Sequence, residues 1–197
     1  DLLPLGYEVV IFEQWDKPGG LMRTNIPAFR LPETVLAEEI GYIEQMGAQI
    51  RYNSRIDSMR KLLETGGFDA VFVGSGAPKG KELKLPGRTE GGANIHIGIN
   101  WLESVAFKHL DKIGEKVLII GVGNTAMDCC RSSLRLGAKD VKVMARKPRQ
   151  FFKASEWELE DAEAENVEIV VNHAPRAFVV EDGKLKGMLF DEMEYEI

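Results

Sequence analysis

Apolar residues along this chain fall into two kinds of segment, continuous short runs and helically spaced positions. The continuous runs predict strands at 7–12, 48–52, 68–73, 116–120 and 141–144. The helically spaced positions predict helices at 33–46, near 99–110 and at 125–136. Because strands and helices alternate, the sequence predicts an α/β fold with a parallel sheet.

The strand-turn-helix pattern restarts in the second half of the chain. A Gly-, Lys- and Pro-rich stretch at 79–98 and a turn at Ile113-Gly114 precede the restart at Lys116. We therefore predict two domains, 1–112 and 113–197. The first residues are typical of the end of a helix that Gly6 terminates, and no helix or strand closes the pattern at the last residue. We expect parts of both domains to lie outside this sequence.

Two local signals follow the restart. Ser155 and Glu158 have the spacing of a capping box, which predicts that a helix begins there. We interpret the acidic stretch Glu156–Glu165 as a solvated helix face, with an acidic docking patch as the alternative. The dipeptide Asp182-Gly183, between apolar runs at 177–180 and 185–190, predicts a β-hairpin.

Composition narrows the class of protein. The chain has 197 residues, of which 44% are apolar, enough for a real core. Its 25 basic and 31 acidic residues give a net charge of −6, which argues against a general nucleic-acid binder. No apolar stretch approaches the ~18–20 residues that span a bilayer. We expect a cytoplasmic protein with no nucleic-acid and no membrane partner.

The two cysteines, Cys129 and Cys130, are neighbours in the sequence. Adjacent Cα atoms lie ~3.8 Å apart, closer than the ~4.4–6.8 Å that a disulfide prefers. The chain has no Cys-x-x-Cys pair. We therefore predict that the two cysteines are small buried helix residues and not a redox pair. No cluster of residues in the sequence predicts a metal site.

The most informative motif is a glycine-rich turn between a predicted strand and a predicted helix. Gly121 suits the tight turn, Gly123 lets the backbone approach a pyrophosphate, and Ala126 allows close helix packing. Together with Asn124 and Thr125, these residues predict a Rossmann-type phosphate-binding turn, in which the helix N-terminus receives the phosphates. The alternative is a glycine-rich turn without a ligand.

The charge that follows the next strand indicates which nucleotide is bound. An NAD site usually has Asp or Glu at this point, about 20 residues after the turn, to hold the ribose 2′-OH. Here the strand is followed by Arg146 and Lys147, with Arg149 just beyond. A guanidinium can grip a 2′-phosphate with two hydrogen bonds. The sequence therefore predicts NADP(H), with a merely solvated basic loop as the alternative.

Taken in order, these segments resemble the glutamate synthase small-subunit family of pyridine-nucleotide-dependent flavoprotein reductases. The resemblance covers nearly the whole chain. Its marks are Glu13, Gly19-Gly20-Leu21-Met22-Arg23-x-x-Ile26-Pro27, Phe29-Arg30-Leu31-Pro32, Gly74-Ser75-Gly76-Ala77, Gly121-x-Gly-Asn-Thr-Ala-Met-Asp128 and Arg146-Lys147.

The resemblance implies two Rossmann-like dinucleotide-binding lobes, with the flavin lobe incomplete. It implies that Glu13 holds the FAD ribose, that Gly20, Leu21 and Arg23 line the flavin, and that Gly76 and Ala77 pass close to FAD. It also implies NADPH at Gly121, Gly123, Asn124, Thr125 and Ala126, with Arg146 and Lys147 on the 2′-phosphate. More weakly, it implies a position for Glu156 on the nicotinamide side.

The activity that the resemblance implies is hydride transfer between NADPH and FAD, with electrons passed on to an iron–sulfur protein or partner subunit. This step needs no side-chain acid, base or nucleophile, so no catalytic residue is predicted. The chain lacks the first flavin Gly-x-Gly-x-x-Gly, the family's C-terminal Gly-Asp segment and a cysteine-rich iron–sulfur domain. A non-catalytic NADP(H)-binding module is the alternative, and the missing Cys-x-x-Cys disfavours a thioredoxin reductase.

Overall fold

The computed structural model describes residues 1–195, which divide into two compact units. The first unit is Asp1–Pro78 and the second begins at Lys79. Residues 79–112 fall in the second unit, because the helix at Gly98–Ala106 packs against the helix at Asn124–Arg135. The division into functional domains at 112/113 stays a prediction.

The first unit carries a two-stranded parallel sheet. Its elements are strands β1 (Val10–Phe12) and β2 (Gln49–Arg51) and helices α1 (Gly20–Thr24), α2 (Glu33–Gln45) and α3 (Met59–Thr65). Ile11 pairs with Ile50 in the sheet, and Leu36 of α2 is buried. Gly6, with φ +87°, ends a short 3-10 helix at Leu3–Leu5, as predicted.

The strand predicted at 68–73 is wrong. Phe68 packs edge-on against Phe12 of β1, with ring centroids 5.8 Å apart. Beyond it the backbone forms no bridge to any strand in the described part of the chain, and Phe72 is 92% exposed. An apolar run becomes a strand only where a neighbouring backbone satisfies its N–H and C=O groups.

The second unit is built on a three-stranded parallel sheet in the order β3-β4-β5. Its first elements are helix α4 (Gly98–Ala106), strand β3 (Lys116–Ile120), helix α5 (Asn124–Arg135), strand β4 (Asp140–Met144), helix α6 (Glu156–Ala164) and strand β5 (Glu168–Val170). Ile120 pairs with Met144 at the carboxyl end of the sheet. The predicted strand at 116–120 and the helix at 125–136 are confirmed to within one residue.

The core of the second unit lies between β4 and the helices. Val143 of β4, Met127 of α5 and Leu159 of α6 are essentially inaccessible to solvent and belong to one cluster. Strand β3 is less covered, since Leu118 is 43% and Ile120 37% exposed. The phosphate turn therefore lies on a rigid base made mainly by β4 and α5.

The predicted hairpin is confirmed. Strands β6 (His173–Glu181) and β7 (Lys184–Glu192) pair antiparallel. The two-residue turn has φ +50° at Asp182 and φ +70° at Gly183. Positive φ at both turn residues is the geometry that matches the twist of antiparallel strands.

Candidate functional site

The glycine-rich turn joins β3 to α5 in the predicted way. Gly121 has φ +106°, and its N–H donates to the Met144 carbonyl at 3.0 Å. Gly123 is the N-cap of α5. The N–H groups of Gly123, Asn124 and Thr125 find no acceptor among residues 1–195. Together they form a set of unsatisfied donors at a helix N-terminus, which suits an anionic group.

The two glycines of the turn are needed for different reasons. Gly121 requires glycine because of its positive φ. Gly123, with φ −113° and ψ 173°, is in extended backbone that any residue adopts. A Cβ on Gly123 would meet no atom within 4 Å in the described chain. The fold therefore does not explain Gly123, whereas a phosphate lying against the backbone does.

Ala126, the third small residue of the motif, faces the protein interior. It is 9% exposed and belongs to the core cluster between α5 and the sheet. Its N–H donates to the Gly123 carbonyl at 2.8 Å. Ala126 therefore supports the turn through helix packing and offers no side chain to a ligand.

The basic segment after β4 contains cations in three different states. Arg146 is exposed and makes no hydrogen bond or ion pair with residues 1–195. Lys147 is exposed, with its Nζ 5.3 Å from the centre of the Phe151 ring. Arg149 is engaged with α6, where it pairs with Glu163 and with Glu156 at 2.7 Å. Those hydrogen bonds, Glu163 first, raise the pKa of Arg149.

Glu156, which the resemblance relates weakly to a nicotinamide, thus serves here as an ion-pair partner of Arg149. Ser155 is the N-cap of α6, but its side chain makes no capping hydrogen bond. The helix therefore begins where the capping box predicted, but the capping hydrogen bond of the Ser155 side chain does not form. Glu158, its other member, is 3% exposed and lies 3.5 Å from Arg131 of α5.

The acidic helix α6 has an exposed face and a face paired with α5. Glu156, Glu160, Asp161 and Glu163 are exposed, which confirms the predicted solvated face. Arg131 also contacts Asp161 at 2.8 Å and Glu165 at 3.0 Å. Arg135 lies 2.6 Å from Glu165. The hydrogen bond from Arg135, followed by that from Arg131, holds the pKa of Glu165 below its ordinary value although burial opposes this. These pairs hold the helix that starts at the phosphate turn.

The cysteines are buried and free, as predicted. Burial raises the pKa of both Cys129 and Cys130 to about 12. The Sγ of Cys129 lies 3.8 Å from the Gly98 carbonyl, to which it donates. Thiols in this state are protonated near neutral pH and serve packing between α4 and α5.

In the first unit, Glu13 directly follows β1. Its backbone continues the sheet, because its N–H donates to the Arg51 carbonyl at 2.9 Å. Its Oε1 accepts a hydrogen bond from the Trp15 N–H at 3.0 Å. This contact holds the carboxylate of Glu13 at the end of the strand, where the resemblance implies a ribose contact.

The remaining predicted flavin-lining residues lie on α1 and on the irregular segment before Pro78. Leu21 is 38% exposed, and its Cδ1 lies 3.7 Å from the position of a Cβ on Gly76. Gly20 has φ +49° and Gly76 has φ +67°. The structure thus brings Leu21 and Gly76 together, and Ala77 follows them on the exposed loop.

Arg23 has a structural role in the first unit. Its Nε donates to the Pro18 carbonyl at 2.6 Å, and its Nη1 donates to Glu33 at 2.7 Å. The hydrogen bond from Lys17, followed by that from Arg23, holds the pKa of Glu33 below its ordinary value. Arg23 therefore links the segment at Pro18, just before α1, to Glu33 at the start of α2.

Residues 1–195 hold neither a metal-binding cluster nor a membrane-spanning helix. No group of His, Cys, Asp or Glu there could hold a metal ion. No helix there is long and apolar enough to cross a membrane.

The sequence matches the pattern of a known family over residues 23–197. The chain belongs to the pyridine nucleotide-disulphide oxidoreductase family. Within this oxidoreductase family, the chain is 37% identical to the NADP(+)-dependent formate dehydrogenase subunit beta of Moorella thermoacetica, over 93% of the chain and 26% of the relative. It is 31% identical to the glutamate synthase [NADPH] small chain of Azospirillum brasilense, over 90% of the chain and 39% of the relative.

These relatives confirm the resemblance to the glutamate synthase small-subunit family. Mycobacterium tuberculosis FprA in complex with NADPH matches in structure, with a TM-score of 0.74 at 14% identity, over 94% of the chain and 62% of FprA. At that identity the match shows the fold alone, an α/β Rossmann-like fold. The chain spans about a quarter of the length of the formate dehydrogenase subunit and about two fifths of the length of the glutamate synthase small chain.

Sequence reasoning missed three features of the site. It did not find the ion pairs of Arg149, the burial of Glu158, or a hydrogen bond between Asn124 and Ser155. The spacing of Arg131 and Arg135 on one helix face was a usable signal for the α5–α6 pairs.

Proposed function

We propose that this chain is part of an oxidoreductase that transfers hydride between NADPH and FAD. The observation that carries the proposal is the turn at 121–126. Its unsatisfied N–H groups and the open space over Gly123 fit a pyrophosphate. The exposed Arg146 that follows β4 fits a 2′-phosphate.

In this proposal each residue of the second unit has a defined task. The N–H groups of Gly123, Asn124 and Thr125 hold the pyrophosphate, while Gly121 and Ala126 shape the turn. Arg146 binds the 2′-phosphate, and Lys147 adds a second positive charge nearby. Residues 113–197 would be the NADP(H)-binding domain, and residues 1–112 would belong to the FAD-binding domain.

For the first unit, we propose a flavin site that the full-length protein completes. Glu13 would hold the adenosine ribose, because a carboxylate accepts both ribose hydroxyls and its position is fixed by Trp15. Gly20, Leu21, Arg23, Gly76 and Ala77 would line the flavin, and the contacts of Arg23 with Pro18 and Glu33 would hold the start of α1 in place.

Bound FAD would accept the hydride from NADPH and release electrons singly, which side chains cannot do. The chain's own residues bind and orient the nucleotides, and none has to exchange a proton in the transfer. Electrons would pass to an iron–sulfur protein or an electron-accepting subunit. The names of the relatives as beta subunit and small chain support such a partner.

Two measurements test the proposal. Calorimetric titration at fixed salt should show tighter binding of NADPH than of NADH. The full-length protein should be yellow and should bleach on addition of NADPH without oxygen. Preference for NADH would reject the nucleotide assignment. A colourless full-length protein that still binds NADPH would favour the alternative, a non-catalytic NADP(H)-binding module.

A further inference from the structure

The segment that carries Arg146 is fastened directly to the phosphate turn. This segment, residues 146–155, is called the 146–155 loop below. The N–H groups of Lys153 and Ala154 both donate to the Val122 carbonyl at 3.1 Å. The N–H of Ser155 donates to Oδ1 of Asn124 at 2.9 Å. Three successive N–H groups of the loop therefore donate to the turn. Two of them donate to a backbone carbonyl and the third donates to the Asn124 side chain.

The direction of the Asn124 side chain follows from this contact. A backbone N–H can only donate, so the Asn124 atom that faces Ser155 must be the amide oxygen. The Nδ2 group makes no hydrogen bond within residues 1–195. The side-chain oxygen is thus committed to the loop, while the backbone N–H of the same residue stays among the open donors of the turn.

Further contacts stiffen the C-terminal half of the loop. Phe152 and Ala154 pack against the core cluster of the second unit, and Arg149 is paired with Glu156. Arg146 lies at the other end of the loop and has no such anchor among the described residues. Its placement therefore depends on how firmly the rest of the loop is held.

We propose that Asn124 is a positioning residue that sets the preference for NADPH. Its side-chain oxygen fixes the 146–155 loop to the turn, so that Arg146 is held ready for the 2′-phosphate. This inference rests on the proposed nucleotide assignment. A residue of the pyrophosphate turn would thus control the recognition of a 2′-phosphate that its side chain does not touch.

The test compares three variants of the full chain by titration with NADPH and with NADH. Asn124→Ala removes the acceptor and should weaken NADPH binding about threefold to tenfold, with less than about twofold for NADH. Asn124→Asp keeps an oxygen facing Ser155. Its negative charge should weaken both nucleotides alike, so the NADPH/NADH ratio should stay within about twofold of wild type. Gly123→Ala, which crowds the pyrophosphate, is the reference for an equal loss.

A second readout needs no nucleotide. Amide hydrogen exchange of the 146–155 loop should be faster in Asn124→Ala and unchanged in Asn124→Asp. Equal losses of NADPH and NADH in Asn124→Ala would show a direct ligand and overturn the proposal. A lost preference in Asn124→Asp would also overturn it.

Arg146→Ala separates this inference from the function on which it rests. If Arg146→Ala leaves the NADPH preference intact, the 2′-phosphate assignment is wrong and the inference falls with it. If Arg146→Ala abolishes the preference while Asn124→Ala does not, only the role of Asn124 is overturned.

Discussion

Nη1 of Arg131 on α5 lies 3.5 Å from Oε2 of Glu158 on α6, and the two side chains are only 10% and 4% exposed. The same guanidinium also contacts Asp161 and Glu165 nearer the surface. A carboxylate as buried as that of Glu158 is tolerated only while a cation accompanies it. Arg131 is therefore the residue on which the packing of these two helices depends.

Replacing Arg131 by Met should destabilise the chain by about 3–5 kcal/mol, because Glu158 would keep a buried charge without its cation. The matched control is Arg135→Met on the same helix, which removes a more exposed pair and should cost less than about 1 kcal/mol. Urea unfolding gives both values. Equal losses in the two variants would contradict the special position of Arg131.

The stability of the second unit should depend on Glu165 at acid pH. Since Arg135 and Arg131 hold the pKa of Glu165 below its ordinary 4.5, its stabilisation is fully present above that value. It is lost as the pH falls through the lowered pKa. Between about pH 6 and about pH 3, the melting temperature of Glu165→Gln should therefore fall less than that of wild type. Parallel pH profiles would show that the pair adds nothing.

Arg146 should determine nucleotide choice. A charge-assisted hydrogen bond contributes roughly 1.5–3 kcal/mol, so Arg146→Ala should weaken NADPH binding by on the order of ten- to a hundredfold. NADH lacks the 2′-phosphate and should bind almost unchanged. Lys147→Ala should act in the same direction but less, because an ammonium lacks the planar fork. Both effects are measured by calorimetry.

Lys186→Ala is the control for that experiment, since it removes one positive charge at an exposed position of β7. It should change neither affinity. Equal losses of NADPH and NADH in Arg146→Ala would show that Arg146 supports the fold and does not contact the 2′-phosphate.

The two glycines of the turn should respond differently to alanine. Gly121→Ala forces a Cβ into φ +106° and should destabilise the chain by about 1–2 kcal/mol. Gly123→Ala should leave the melting temperature nearly unchanged, because the added Cβ meets no described atom. It should nevertheless weaken both NADPH and NADH strongly. Normal nucleotide binding by Gly123→Ala would argue against a phosphate at this turn.

The isolated chain should associate in solution. Phe72 and Val73, on a segment without strand partners, are 92% and 59% exposed, and apolar patches of this kind promote contacts between molecules. Size-exclusion chromatography should show species larger than a monomer. Phe72→Ser should shift them toward monomer, whereas Tyr7→Ser, at an exposed ring elsewhere, should shift them less. A well-behaved wild-type monomer with a cooperative melt at high temperature would contradict this prediction.

The elements that the sequence predicted well are those whose signals are local. The turn at Gly121 joins a run of apolar residues to an amphipathic helix, and the hairpin turn at Asp182 needs only its own two residues. These signals do not depend on distant parts of the chain. The NADP(H) assignment rests on a local signal too, the basic pair that follows β4, and it stays a prediction.

The predictions that failed depended on partners far away in sequence. The run at 68–73 has strand composition, but no described backbone lies beside it to complete a ladder. Glu158 has capping-box spacing, yet its side chain is buried beside Arg131, which lies 27 positions earlier in the sequence. The contacts of Arg149 with Glu156 and of Asn124 with Ser155 were missed for the same reason. They follow from the packing of α6 and not from the spacing of a motif.

The parallel pairing of β3 with β4 has a consequence for the newly made chain. Strand β3 ends at Ile120, and its partner strand β4 begins twenty positions later, at Asp140. At translation rates of about 5–20 residues per second, β3 leaves the ribosome about 1–4 s before β4 begins to emerge. During that interval β3 has no strand to pair with, and Val117 and Ile119, which pack against the core in the folded chain, are exposed. This interval is when a chaperone that binds short apolar segments would find its target.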